Sequence, residues 1–311
     1  MLKKSEIIPM QMPKDPSLAW SRLPTWALAL VPVILWGGSF FVTKSLYADL
    51  GPITVAAGRW LIAALFFAAL VVVRGETGQV GAALHSEPFT VLGFGLIGVG
   101  FLYAVQNVAL TFTTITNASV LGNLVPIFVL VLSVIVLGER PRRPLVVAVL
   151  GATVGAAVLS LQGGAFDVAP AHLWGDLLSI LAALAGGIYV VLGKRMVNGF
   201  SPLVVTLLAA GVGAMVLVPV ALLVEGVPSM PGPTGIMGLF ILGMGSSAAA
   251  NLVWWMVVER MPASRAALFI LLVPVVGAGM GVLFAGEPVT WPALMGGGMV
   301  LTALYIAQVS Q

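Results

Sequence analysis

The sequence contains no cysteine, and only 8% of its 311 residues are Asp, Glu, Lys or Arg. The missing cysteines exclude disulfides, thiolate metal sites and cysteine nucleophiles. A soluble domain carries about 25% charged residues, so this chain has too few charges to cover a surface that faces water. Its two histidines, His85 and His172, stand in predicted loops without metal-ligand spacing, and no GxxxxGK[ST] motif is present. We therefore expect no metal, no other cofactor and no use of ATP.

Apolar residues make up 60% of the chain, and its mean hydropathy is +1.11. Runs of about 20 such residues, the length that crosses a bilayer as a helix, recur along the whole sequence. The runs are 25–44, 53–73, 89–110, 117–137, 144–161, 172–192, 202–224, 235–258, 264–285 and 290–309. The strands of an outer-membrane barrel would alternate with polar positions instead. We predict an all-α integral membrane protein with ten transmembrane helices, for which the lipid bilayer is the solvent.

The Lys and Arg residues indicate how the chain crosses the membrane. With the N-terminus in the cytoplasm, nearly all of those in the tail and loops fall on the cytoplasmic side, as the positive-inside rule requires. The exceptions are Lys44, near the outer side, and Arg59, inside the second run. The basic residues form no patch or stripe of the kind that binds nucleic acid. We predict a multi-pass protein with both termini cytoplasmic and no nucleic-acid partner.

The chain also repeats itself at a spacing of 148 positions, which lays 117–161 over 265–309. The coinciding residues are Pro126 with Pro274, Gly138 with Gly286, Glu139 with Glu287, and Pro144 with Pro292. Five helices per copy is an odd number, so the second copy would enter the membrane upside down, as in alternating-access transporters. The predicted parts are a cytoplasmic tail at 1–24, a first five-helix repeat at 25–162 and a second, inverted five-helix repeat at 163–311.

Several short motifs occur in a fixed order along the chain: Trp36-Gly37, Lys44, Pro52 and Arg59, then Pro126 with Gly138-Glu139-Arg140, and Pro274 with Gly286-Glu287-Pro288. In these motifs the chain resembles the EamA family of the drug/metabolite transporter superfamily. Their order and duplication carry the likeness, which covers 26–309. The resemblance implies a ten-helix carrier of the bacterial inner (plasma) membrane, typically an exporter of amino acids or related metabolites. Within this family the chain is most similar to the bacterial aromatic amino-acid exporter branch (YddG-like).

Polar and aromatic residues in the middle of a membrane helix should face the protein interior, because an unpaired polar group in lipid is expensive. Tyr103 and Asn107 share one helix face, and Ser247, Asn251 and Trp255 share the corresponding face in the other copy. The predicted substrate-binding residues are Trp36, Tyr103, Asn107, Asn123, Tyr189, Ser247, Asn251, Trp254 and Trp255. Amide groups and aromatic faces suit a small zwitterion with an apolar or aromatic side chain. Structural hydrogen bonding between helices remains the alternative for the Asn and Ser residues.

Four further residues are predicted to be gating or structural charges: Lys44, Arg59, Glu139 and Glu287. Each glutamate comes shortly before a proline that starts the following helix, where a carboxylate would complement the free N–H groups; alternatively, either could lock a gate. Arg59 lies about two turns, some 10 Å, into its helix, and we expect it to snorkel outward or to pair with a carbonyl rather than to contact substrate. Tryptophans near the helix ends are expected to be interfacial anchors: Trp20, Trp26, Trp60, Trp174 and Trp291.

Three classes of membrane protein fit such a chain to different degrees. An intramembrane enzyme would need clustered acids, histidines or a nucleophile–base pair, and a channel would need a selectivity ring and a symmetric oligomer. No acidic residue falls at mid-helix, so tight proton coupling is not supported and facilitated efflux is the simplest hypothesis. We predict a secondary transporter, not an enzyme, that exports amino acids and related small metabolites by alternating access through a largely uncharged cavity. A transporter of other small metabolites or drugs is the alternative.

Overall fold

Proline begins many of the helices, because a first-turn residue needs no N–H to bond within the helix. The computed structural model describes residues 23–161, 164–286 and 288–309, which contain helices and turns but no strand. The helices of the first half are α1 (Thr25–Leu46), α2 (Pro52–Val73), α3 (Thr77–Ser86), α4 (Pro88–Gly95), α5 (Leu102–Phe112), α6 (Ile115–Gly122), α7 (Val125–Leu137) and α8 (Arg143–Ser160). Those of the second half are α9 (Leu173–Val197), α10 (Pro202–Val224), α11 (Pro233–Ile241), α12 (Ala250–Arg260), α13 (Ala263–Ile270), α14 (Val273–Ala285) and α15 (Trp291–Val309).

Nine helical segments of the described residues are long and apolar enough to cross a membrane, and α1 supplies a further apolar helix. We number these segments spans 1 to 10 in chain order. Spans 1, 2, 5, 6, 7 and 10 are α1, α2, α8, α9, α10 and α15. Spans 3, 4, 8 and 9 are the pairs α4–α5, α6–α7, α11–α12 and α13–α14. The predicted all-α membrane protein is confirmed, with α3 as a short helix that was not expected.

The four composite spans are interrupted at matching places. π-helical segments join α4 to α5 at Leu96–Phe101 and α11 to α12 at Leu242–Ala249. Span 4 is broken between α6 and α7, just before Val125-Pro126. Span 9 is broken between α13 and α14, just before Val273-Pro274. Gly138 and Gly286, which follow α7 and α14, both adopt left-handed φ angles, of 68° and 66°, a conformation that other residues rarely adopt. The backbone irregularities thus recur at the spacing found in the sequence.

Spans 2 and 7 run antiparallel, and a carboxylate ties them at each end. Glu225, which follows α10, accepts hydrogen bonds from the backbone N–H groups of Ile53 and Thr54 at 2.8 Å each. At the other end Glu76, which follows α2, accepts one from the hydroxyl of Ser201, the residue before α10. Carboxylates at helix N-termini satisfy free N–H groups and complement the helix dipole. Each half of the chain therefore stabilises the start of a helix in the other half.

Both ends of the described chain reach one face of the bundle, which we call the terminal face. Thr25 and Gln308 line the same cavity there, of about 230 Å³, together with Arg265. Arg265 also lines a neighbouring cavity of about 390 Å³, with Arg140 and Arg142. Three of the arginines that were expected on the same side as the termini, Arg140, Arg142 and Arg265, therefore lie at this face.

Candidate functional site

The π-helical segment of span 8 is the meeting point of several predicted site residues. The carbonyl oxygen of Ser246 accepts hydrogen bonds from Trp36 Nε1 at 3.0 Å and from Asn251 Nδ2 at 3.1 Å. Asn251 Nδ2 also lies 3.0 Å from the carbonyl oxygen of Ser247. A π-helical turn departs from the regular α-helical hydrogen-bond ladder, and these side chains bond to its carbonyl groups. The bond from Trp36 thereby joins span 1 to span 8 near the middle of both helical segments.

Arg59 of span 2 joins the same segment through its side chain. Its Nε donates to Ser247 Oγ and its Nη2 to Ser246 Oγ, both at 2.7 Å. The guanidinium carbon also lies 5.7 Å from the ring centroid of Tyr103, within the range of a cation–π contact. Only 7% of Arg59 is exposed, so the prediction that it snorkels outward or pairs with a carbonyl is wrong. The two serine hydroxyls provide acceptors inside the bundle, and a charged side chain therefore lies among residues that were predicted to line a largely uncharged cavity.

Three aromatic rings pack around the other side of Asn251. Phe94 stacks on Tyr189 with ring centroids 4.9 Å apart and planes 11° apart, and Trp255 meets both rings edge-on, at 5.3 and 5.0 Å. The Tyr189 hydroxyl donates to Asn251 Oδ1 at 3.2 Å. The Phe94–Tyr189–Trp255 cluster is therefore linked through Asn251 to the π-helical segment.

Two glycines make room for these rings. A Cβ on Gly98 would lie 2.0 Å from Cδ2 of Tyr189, and one on Gly193 would lie 2.1 Å from the Trp255 ring. No real Cβ tolerates such distances, so either substitution would displace a ring. The glycine content of the membrane helices thus has a specific steric role at this cluster, beyond its general frequency in such helices.

Tryptophans outside the cluster divide into buried and exposed ones. Trp36 packs against Trp254 with ring centroids 5.6 Å apart. Trp60 is fully buried and meets Tyr103 edge-on at 5.5 Å, so the prediction that it anchors the interface is wrong. Its face of span 2 packs on span 3 instead of lipid. Trp26, Trp174 and Trp291 are exposed, and their role as interfacial anchors stays a prediction. Trp20 lies outside the described residues.

Seven of the nine predicted substrate-binding residues belong to this connected group: Trp36, Tyr103, Tyr189, Ser247, Asn251, Trp254 and Trp255. Asn107 instead donates to the carbonyl oxygen of Pro52 at the start of α2, at 3.0 Å. Asn123 donates to Ser160 Oγ of span 5 at 3.1 Å. Both amides therefore make hydrogen bonds between helices, as the structural alternative proposed.

Glu139 acts on a different helix from the one predicted. It was expected at the start of α8, but its carboxylate accepts from the backbone N–H groups of Ala263 and Ser264, at 2.6 and 3.2 Å, and from Ser264 Oγ at 2.5 Å. These groups begin α13, in the other half of the chain. The left-handed turn at Gly138 ends α7 directly before Glu139. The side chain of Lys44 and the whole of Glu287 lie outside the described residues.

Sequence reasoning missed several residues that hold this arrangement. Ser246 accepts hydrogen bonds from Trp36, Asn251 and Arg59, one more than Ser247 accepts, and its place beside Ser247 in an apolar run could have indicated it. Phe94 gave no signal, because a phenylalanine in a membrane helix is as common on the lipid side. Lys194 donates to the carbonyl oxygens of Val258 and Met261, at 2.7 and 3.1 Å, where a cation complements the end of α12.

Asn117 is a further missed residue, at the face opposite the terminal face. Its side chain is fully buried, and its Nδ2 donates to the carbonyl oxygen of Asp167 at 2.7 Å and to Asp176 Oδ1 at 3.1 Å. Thr113 donates to the same Asp176 oxygen at 2.5 Å. These bonds tie the turn between spans 3 and 4 to the start of span 6.

Comparison with known proteins gives consistent matches along most of the chain. The sequence profile described as the EamA-like transporter family matches twice, at 24–161 and 173–308. A protein of Archaeoglobus fulgidus, named only as an uncharacterized transporter, is 30% identical over 283 residues, which are 90% of this chain and 97% of that protein. A protein of Streptantibioticus cattleyicolor named a probable terminal-alkyne amino-acid exporter is 24% identical, over 90% of this chain and 92% of its own.

One solved crystal structure also shares the architecture. It superposes with a TM-score of 0.78 and covers 92% of this chain and 96% of its own, at 19% sequence identity. At that identity the likeness shows the fold alone.

Proposed function

Because the chain belongs to the EamA-like transporter family, we propose that it is a secondary transporter that exports amino acids, aromatic or otherwise apolar, and related small metabolites. The observation that carries this proposal is the connected group around Ser246 and Ser247, near the middle of span 8, in which polar groups adjoin aromatic rings. Amide and hydroxyl groups can bind the polar end of an amino acid, while the rings of Trp36, Tyr189 and Trp255 offer apolar contact. The relative named as an amino-acid exporter supports the same substrate class.

We further propose that the two halves, 25–162 and 163–311, are inverted repeats that exchange access between the two sides of the membrane. The family profile matches once in each half, and spans 2 and 7 run antiparallel with a carboxylate at each end. The connected group around Ser246 and Ser247 contains residues from both halves. Rocking of one repeat against the other around a shared midplane site is the usual mechanism of such folds, and it needs no ATP.

The terminal face is proposed to be cytoplasmic, in a bacterial inner membrane. Arg140, Arg142 and Arg265 line its two cavities beside the ends of the described chain, which fits the positive-inside rule. On this orientation Glu139 and α13 lie at the cytoplasmic face.

Counterflow in proteoliposomes tests the proposed function directly. Vesicles that contain the protein and are loaded with unlabelled phenylalanine should transiently accumulate labelled phenylalanine from outside, because a carrier exchanges substrate across a closed site. An open channel would give equilibration without accumulation. Absence of exchange with every amino acid, together with exchange of another metabolite or drug, would reject the amino-acid proposal.

Two variants distinguish the bonds of Asn251 to the Ser246 and Ser247 carbonyl groups from its bond to the Tyr189 hydroxyl. Asn251→Ala removes the partner of the Ser246 and Ser247 carbonyl groups and of the Tyr189 hydroxyl, so we expect counterflow to fall by about tenfold or more with a loss of about 1–3 kcal/mol in stability. Tyr189→Phe removes a single 3.2 Å bond and keeps the stack on Phe94, so its stability should fall by about 1 kcal/mol or less.

Initial counterflow rates and thermal unfolding in detergent measure both effects. Trp255→Ala is expected to reduce counterflow while the protein remains folded. Wild-type rates in both Asn251→Ala and Trp255→Ala would remove the assignment of the site.

A further inference from the structure

Among the described residues, Arg59 is the only charged residue that is buried, and its partners there, the Ser246 and Ser247 hydroxyls and the Tyr103 ring, are neutral. It uses two of its nitrogens for the hydroxyl groups of Ser246 and Ser247, although a guanidinium has five N–H donors. No ion pair joins it to a carboxylate in the part of the chain that the structure describes. The centre of the bundle therefore holds a positive charge that the protein's own described side chains leave unbalanced.

Two carboxylates that tie helices of the bundle together are engaged elsewhere. Glu225 binds the first turn of α2 through Ile53 and Thr54, more than one turn before Arg59. Glu139 binds α13 at the terminal face. A buried charge without an opposite charge is costly in a membrane, and such residues usually pair or mark a substrate path.

We propose that Arg59 binds the carboxylate of the transported molecule, which makes the substrate class small carboxylic acids with an apolar or aromatic side chain. This inference rests on the proposed function and adds a specificity determinant to it. The planar guanidinium can present two parallel N–H groups to a carboxylate. Ser246 and Ser247 hold that plane in place, and the Tyr103 ring lies against it.

The position of Arg59 also orients the rest of the substrate. Arg59 contacts the hydroxyl groups of the π-helical segment, while Asn251 contacts its carbonyl groups and leads to the Phe94–Tyr189–Trp255 cluster. A molecule whose carboxylate lies on Arg59 would therefore have aromatic side chains of both halves within its surroundings. The guanidinium would supply recognition of the acid, and the rings would supply contact with the apolar side chain.

A purely structural Arg59, which only ties span 2 to span 8, makes a different prediction. Such a residue would affect folding but would not distinguish a carboxylic acid from its neutral amide. Competition in the counterflow assay makes this distinction: unlabelled phenylalanine and phenylalaninamide compete with labelled phenylalanine. These two competitors share the ring and the amino group and differ at the carboxyl group alone.

For the wild-type protein, phenylalanine should compete at a concentration about tenfold or more below that of its amide, since charge-assisted hydrogen bonds are the stronger ones. Arg59→Gln should weaken competition by phenylalanine by about the same factor, so that the acid is no longer preferred over its amide. Arg59→Lys should restore part of that preference. Arg74→Gln is the matched control, because Arg74 is an exposed arginine just after the same helix and should behave like wild type.

The wild-type comparison needs no variant, so the proposal remains testable even where Arg59→Gln fails to fold. Equal competition by acid and amide in wild type would overturn the role of Arg59 while leaving the exporter intact. A preference for the acid that persists unchanged in Arg59→Gln would do the same. Absence of amino-acid counterflow in wild type would instead reject the proposed function itself.

Discussion

Gly296→Ala is expected to force spans 5 and 10 apart and to lower the stability of the protein strongly. A Cβ at this position would lie 2.4 Å from the carbonyl oxygen of Gly155 and 2.5 Å from the backbone nitrogen of Leu159. Backbone atoms cannot rotate away as the end of a side chain can, so one helix must move. Close approach of small residues is a main source of attraction between helices in lipid. We expect a loss of about 3 kcal/mol, at the upper end of overpacking substitutions.

Thermal unfolding in detergent measures this loss against a control on the same helix. Gly298→Ala adds the same methyl group two residues further along, where no atom lies within 4 Å, and should unfold near the wild-type temperature. Gly155→Ala approaches the contact from the partner helix, with a Cβ 2.8 Å from the Gly296 carbonyl oxygen, and should resemble Gly296→Ala. Equal unfolding temperatures for the Gly296 and Gly298 variants would contradict the packing described for these spans.

Glu139→Ala is expected to loosen spans 4 and 9 at the terminal face. The change removes three hydrogen bonds, to the backbone of Ala263 and Ser264 and to the Ser264 hydroxyl, and leaves the start of α13 without a cap from the other half. Bonds to a charged group contribute about 1.5–3 kcal/mol each at most, and part of this is regained from water. A total loss of about 2 kcal/mol would shift the terminal face toward open conformations.

A single introduced cysteine reports this opening, because the natural chain has none. Ser133 is fully buried on α7, and Ser133→Cys there should react slowly with a membrane-impermeant maleimide. In the Glu139→Ala background its labelling should become several times faster. Glu76→Ala is the control, since it removes a carboxylate that ties spans 2 and 7 instead. Unchanged labelling in the Glu139 variant would show that this carboxylate does not hold the face closed.

Composition and repetition were sufficient to predict the class of fold. A chain with 8% charged residues can fold only in lipid, and in lipid the backbone must satisfy its own hydrogen bonds, which selects helices. The repeat was equally legible, because Gly138 and Gly286 mark left-handed helix ends that only glycine adopts easily. Helical periodicity also identified Ser247, Asn251 and Trp255 as one face directed inward.

Which helix each polar helix face packs against was visible only in the tertiary structure. Arg59 reaches serines 187 and 188 positions away, and Glu139 caps a helix 124 positions away. Periodicity shows which side of a helix is polar, but it gives neither the rotation of a helix in the bundle nor its neighbour. The sequence alone was therefore sufficient to predict that the chain folds in lipid, that it is helical and that its set of helices is duplicated. Only the packing of antiparallel helices decided that a buried arginine, an asparagine and the aromatic rings meet at one π-helical segment, because that packing sets the distances between residues far apart in the chain.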